Sequence, residues 1–156
     1  FIQGCVHMMT NLFDKTFTVI NQIPKSSFSG QKISWEKHVI KGCVCTGGMY
    51  DKSKKAISLS GGKFTVYIKD IEKFKPPCFS KNTQDGYYSI PEDERKNFFT
   101  LGKGDLIVFD DIADDVPKDI EEYDALIEKY SENMLTVSGY EVFNVKGWQT
   151  NHIEAY

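Results

Sequence analysis

Apolar and polar side chains alternate at every second position over several stretches of the chain, the period of a strand with one buried face. In "KTFTVINQI", Lys15 to Ile23, the residues Phe17, Val19 and Asn21 fall on one face and Thr18, Ile20 and Gln22 on the other, and Pro24 ends the run. "ISWEKHVIKGCVCTG" follows a polar loop, "KSSFSGQK", and reads as one long strand or two, with Gly42 as the site of a bulge. "GGMYDKSKKA" has turn chemistry, and "AISLSGGKFTVYIKDI" gives two strand-like pieces around Gly61 and Gly62. In the second piece Phe64, Val66 and Ile68 oppose Thr65, Tyr67 and Lys69.

Periodicity stops between Glu72 and Tyr88, where "KFKPPCFSKNTQDGYYS" carries two prolines and a "QDG" turn, and this predicts a long exposed loop. "PEDERKNFF" supports one or two helical turns with Pro91 at the first helical position, and a turn then feeds an apolar strand at Leu106 to Phe109. The clearest helix is "KDIEEYDALIEKYSEN", predicted over about 119–131. Its apolar positions are Ile120, Tyr123, Leu126, Ile127 and Tyr130; Asp119 caps it, with Glu122 as capping-box partner and Lys129 at the carboxyl end. "MLTVSGYEVFNV", the loop "KGWQT" and a last strand in "NHIEAY" complete the pattern. Many short strands with one good helix predict a mainly β (α+β) fold. It is a small antiparallel β-barrel or sandwich, with one α-helix packed on it near the carboxyl end and a long insertion loop at 72–88.

The opening "FIQGCVHM" reads as the remnant of a cleavable tag joined to a cloning-site His-Met, so residues 1–8 are set aside and a single domain is expected over 9–156. A content of 40% hydrophobic and 26% charged residues fits a soluble domain with a fair core. No apolar run approaches the roughly 18 residues of a membrane span, so no membrane partner is expected. A net charge of −3 and a pI near 5.6 argue against an electrostatic grip on nucleic acid. Lys52, Lys54 and Lys55 make a local positive spot, read as a solvated hairpin.

Candidate chemistry is sparse. Cys43, Cys45 and Cys78 are odd in number and irregular in spacing, which is no disulfide framework. On a strand Cys43 and Cys45 share a face, whereas His38, five residues before Cys43, points the other way, so buried thiols are expected rather than a metal site. "FDDIADDV", Phe109 to Val116, gathers Asp110, Asp111, Asp114 and Asp115. Counted from Asp110 as a calcium loop, the third position is Ile112 and the sixth is Asp115, where glycine is needed; counted from Asp111 the third is Ala113. A paired-carboxylate site remains open, but adjacent aspartates on an extended chain face opposite ways, and a solvated turn before a helix amino end explains all four. "LSGGK", Leu59 to Lys63, has no phosphate loop to work with, and "GKGD", Gly102 to Asp105, is too short to cradle phosphate. Cys78 follows two prolines in the long loop, away from His38 and His152 in strand-like sequence, and Trp35 and Trp148 read as packing residues. No catalytic residue, metal ligand or cofactor site is assigned.

The order of features in the carboxyl half is more specific. "FFTLGKGDLIVFDDIADDV", then "YDALIEKYSENM", "LTVSGYEVF", "VKGWQT" and "NHIEAY" resembles small minor-capsid and head–tail connector proteins of Gram-positive tailed phages and prophages. "TVIN", "W…VIKGC" and a "GG" before "FTVYI" extend the likeness to the amino half, and Ile153 stands where tryptophan is common. The resemblance implies a non-enzymatic head-closure or adaptor subunit that self-associates into a ring below the portal. Portal, adaptor or tail proteins would be its partners, and DNA would pass nearby without specific binding. It implies residence at the head–tail junction of the virion, and in the host cytoplasm during assembly. Two alternatives stand beside it: a tail-terminator or tail-completion protein, and a small metal-dependent prophage enzyme using the aspartates or "CVC" with a histidine. The acid run would be a polar turn that repels phosphate or meets a basic neighbour.

Overall fold

The structure is a computed structural model that describes residues 13–24, 33–47, 49–51, 56–58, 64–82, 85–147 and 151–156. The tag-like residues 1–8, the 25–32 loop, the 52–55 lysines, Leu59 to Lys63 and Trp148 lie outside the described residues.

The strands are β1 (Lys15–Ile23), β2 (Ser34–Gly47), β3 (Met49–Asp51), β4 (Ala56–Ser58), β5 (Phe64–Ile68), β6 (Leu106–Val108), β7 (Met134–Thr136), β8 (Tyr140–Phe143) and β9 (His152–Ala155). Among the described residues two helices interrupt them, α1 (Glu92–Arg95) and α2 (Ile120–Tyr130), with a short 3-10 turn at Tyr87–Ser89. The main sheet is antiparallel, in the order β7-β6-β1-β2-β5-β9-β8, and β3 and β4 form a separate pair. Its two ends are one stretch of chain. β7 runs into β8 through Val137, Ser138 and Gly139: Val137 exchanges backbone hydrogen bonds with the Gly104–Asp105 turn before β6, and Gly139 with Tyr156 after β9. The sheet therefore closes on itself as a barrel.

The barrel interior is one apolar cluster: Phe17 and Val19 of β1, Ile40 and Cys43 of β2, Val66 and Ile68 of β5, Ile107 of β6, Val137, and Ile153 and Ala155 of β9. The alternation expected for β1 holds, yet both of its faces are buried. Ile20 joins an outer cluster with Trp35, Leu106, Val108, Met134, Ile112, Tyr123 and Leu126, so α2 lies on the barrel wall over β1, β6 and β7. Trp35 stacks on Tyr123 with centroids 5.1 Å apart. The Asp119 side chain accepts from Glu122 N–H at 2.8 Å, as the capping pattern predicts, while the Glu122 carboxylate reaches back to Lys118 N–H, one residue before the cap. Ile120 departs from the expected apolar face at 55% exposed, because it sits at the first turn beyond the sheet contact. Among the described residues no helix is long and apolar enough to cross a membrane.

Two glycines are required by geometry. Gly42, at φ +74°, is the extra residue of a bulge, since β1 pairs Thr16 with Lys41 but Lys15 with Cys43. A Cβ on Gly86 would stand 2.4 Å from the Cys78 carbonyl oxygen, so the 72–88 segment doubles back on itself only with glycine there.

Gly42→Ala is expected to lower stability by about 1–2 kcal/mol, the cost of a left-handed conformation in a residue with a Cβ. Urea unfolding checks this, and an unchanged midpoint would show that the bulge relaxes freely.

Candidate functional site

The inner face of the β1–β2 pair changes from apolar to polar along its length. Phe17 faces Ile40 and Val19 faces His38, then Asn21 faces Glu36. These polar groups would be orphaned at the barrel end if nothing met them. The 72–88 segment supplies the partner for Glu36 and His38, while Asn21 bonds the Thr100 backbone and Asp105. Most of the segment's described residues are exposed, as expected, but Phe74 and Gly86 are buried and Tyr87 is 0% exposed, because the loop folds back and plugs the barrel end. Tyr87 O–H donates to Glu36 Oε2 at 2.6 Å, and His38 Nε2 lies 2.7 Å from the Tyr87 hydroxyl oxygen. With its only proton given to Glu36, the Tyr87 oxygen accepts, so His38 carries its proton on Nε2. Arg95, from α1, holds the other oxygen of Glu36 through Nε at 2.8 Å and a second nitrogen at 2.7 Å.

A second polar group locks the turn before β6. Asp105, 1% exposed, accepts from Gln22 N–H, Gly102 N–H and Asn21 Nδ2 at 2.8, 2.7 and 2.7 Å. "GKGD" is thus a turn folded around its own aspartate. Burial pushes Asp105 up to about 6, although its three donors pull the other way. Burial brings His38 down to about 4 against the attraction of Glu36, with Arg95 adding to the depression. His38 is neutral at physiological pH, fixed as a donor.

The bulge overturns one expectation from spacing. His38 and Cys43 are an odd number of residues apart, but the extra residue at Gly42 returns both to the inner face. They nevertheless do different things. Cys43 donates to the Ile40 carbonyl, while His38 is engaged with Tyr87. Burial raises the Cys43 and Cys45 thiols to about 12 and about 11, which keeps both protonated. Cys78 is exposed, and among the described residues no group of three or more His, Cys, Asp or Glu could hold a metal ion.

The four aspartates do not converge. Asp110, Asp111 and Asp115 are exposed, and Asp114 pairs with Lys129 at 2.6 Å and with the Tyr130 hydroxyl. Those two hydrogen bonds, Lys129 first, hold the Asp114 carboxyl below its usual range. The run is a strap over the barrel wall, as its place between strand and helix suggested. Thr18 Oγ1 donates to the Asp110 carbonyl, Ile112 inserts beneath α2, and Lys37 Nζ reaches the Ile112 and Asp114 carbonyls at 2.6 and 2.9 Å.

A cleft of about 440 Å³ opens beside β2, lined by Lys37 to Lys41, Asp70, Lys73 and Lys96 to Phe99. Just past one end of this stretch, Lys69 N–H bonds the Gly42 carbonyl; just past the other stands the Glu36–Arg95 ion pair. Four lysines face one aspartate there, a local reversal of the chain's net −3. Sequence reasoning missed both the plug and the cleft. The polar residues Glu36 and His38 on core-facing positions were the signal for the plug. The cleft lysines come from three separate segments and gave none.

No protein family, curated protein or solved structure matches this chain.

The two shifted groups impose opposite pH dependences. Asp105, raised from 3.8, contributes stability that is full below that value and lost as pH rises through about 6. His38, lowered from 6.5, contributes stability that is full above that value and lost as pH falls toward about 4. Each amounts to ~3 kcal/mol over this window, so the two nearly cancel. Relative to the unsubstituted chain, His38→Gln is expected to lose stability as pH rises from 4 to 6.5, and Asp105→Asn to gain it. Urea unfolding across that range decides it, and slopes of the same sign would refute the assignment.

Proposed function

We propose that the protein is a structural subunit of the head–tail connector of a tailed phage or prophage, a head-closure or adaptor protein that assembles as a ring below the portal. The carrying observation is the ordered run from "FFTLGKGD" to "NHIEAY". It maps onto the Asp105-centred turn, the strap, α2 and the strand run that closes the barrel. The architecture supports this reading. A closed barrel with a plugged end is a rigid block, and rigid blocks suit a ring in which each copy repeats one contact. Charge is also segregated, with exposed acids on the strap and on α2 (Glu121, Glu122, Asp124, Glu128) and lysines in the β2 cleft. Such surfaces favour unlike faces meeting between neighbours. Glu36, His38, Tyr87 and Arg95 are spent on one another in the plug, which supports a building block over a catalyst. The exposed Asp110, Asp111 and Asp115 are free of the anchoring role of Asp114 and suit a lining that repels DNA phosphates.

Immunogold labelling of tailed particles induced from the source strain, with antibody to this chain, is expected to mark the neck. Particles that assemble and carry no label anywhere would end the structural reading.

A further inference from the structure

The β2 cleft is a place where the barrel wall lacks a strand. Gln22 N–H points toward the Asp105 turn on the β6 side, so by the two-residue period Phe17, Val19 and Asn21 direct their backbone groups to β2. Their partners Ile40, His38 and Glu36 are then the residues that bond back to β1. Lys37, Val39 and Lys41 aim N–H and C=O the other way, into the cleft. β5 takes up pairing only from Cys43 onward, and no described residue bonds the backbone of Lys37, Val39 or Lys41 on that side. Five residues of β2 line the cleft, roughly 17 Å of strand at about 3.3 Å per residue.

We propose that this cleft binds an extended, acidic segment of a partner protein, added as a strand along β2 from Lys37 to Lys41. The open backbone supplies ladder hydrogen bonds, the mode by which sheet edges capture peptides. The lysines select its charge. Lys41 and Lys96 are exposed, and no described acid pairs with either, whereas Lys73 lies 3.7 Å from Asp70 and Lys37 is held by the strap carbonyls. Acidic side chains alternating along the incoming strand would meet Lys41 and Lys96. An oligonucleotide could use those ammonium groups, but a phosphate backbone cannot use a ladder of alternating N–H and C=O, so the strand edge favours peptide. The inference does not depend on the connector reading, since it uses only the cleft.

The test uses the full chain, labelled with ¹⁵N, and a probe peptide of alternating Glu and Thr, with alternating Lys–Thr peptide and oligo-dT as comparisons. In the protein alone, the Val39 and Lys41 amides are expected to exchange with solvent much faster than those of His38 and Ile40. Saturation with the Glu–Thr peptide is expected to slow Val39 and Lys41 at least tenfold. Val39→Pro removes one edge donor and leaves the β1 side intact, and should weaken binding at least tenfold. Lys41→Glu with Lys96→Glu should do the same and guards against misfolding of the proline variant. Amides of Val39 and Lys41 already protected in the free protein would mean that the chain fills its own cleft, which overturns the proposal. No binding of the Glu–Thr peptide, or binding indifferent to Val39→Pro, also overturns it. So does oligo-dT binding that is lost in the lysine variant while the peptide is ignored.

Discussion

The fold depends on one stretch of chain serving two edges. From Met134 to Phe143 the backbone pairs first with β6 and then, after Gly139, with β9. This joins the amino-terminal strands β1 and β2 to the last strand of the chain. An open sheet of this width would leave two full-length unpaired edges, each a template for aggregation; with one run of chain serving both ends, each half pairs on one side, and the sheet encloses the apolar cluster. It also fixes where α2 must lie. The helix is inserted immediately before β7, so it can only fold back over the β6–β7 seam, where Leu106, Val108 and Met134 form the surface it covers. Barrel and helix are thus consequences of a single pairing choice.

Closure leaves the barrel ends to be dealt with, and the plug answers that at one of them. A carboxylate on the inner face, such as Glu36, is costly unless its oxygens are matched, because removing water from a charge outweighs most single contacts. Here Arg95 takes one oxygen and Tyr87 the other, while His38, neutral, supports the tyrosine. The cluster ties the long loop and α1 to β2 with directional bonds. An apolar plug would have filled the space without setting the loop's register.

Local pattern disclosed the elements well and their closure poorly. Alternation placed β1, the bulge at Gly42 and the second half of β2, and the capping residues placed α2 nearly to its ends. These are short-range effects, written in adjacent residues. That the run through "LTVSGYEVF" touches two distant strands is a long-range fact with no local signature. The anchoring of the 72–88 segment was hidden for a related reason. Prolines and polar residues read as solvent-exposed chain, whereas its anchoring rests on two aromatic residues, Phe74 and Tyr87, at unrelated spacing. His38 was misdirected by counting through a strand whose bulge had been noticed but not applied to the count. The acid run was legible as a polar connection, and its strap geometry came from Thr18 and Lys37, far away in sequence.

A residual edge in an otherwise closed barrel calls for a reason of its own. Lysines on an edge strand are a common guard against unwanted pairing, since they repel a second copy of the same edge. At β2 that guard is selective. Lys37, Lys41, Lys73 and Lys96 around one open edge disfavour a twofold contact of β2 with β2, which would bring like charges together. They do not disfavour an acidic strand. A protein that must meet unlike neighbours in a fixed order, rather than pair with itself face to face, benefits from that asymmetry. The same lysines that block symmetric dimerisation leave an extended acidic segment as the partner this edge accepts.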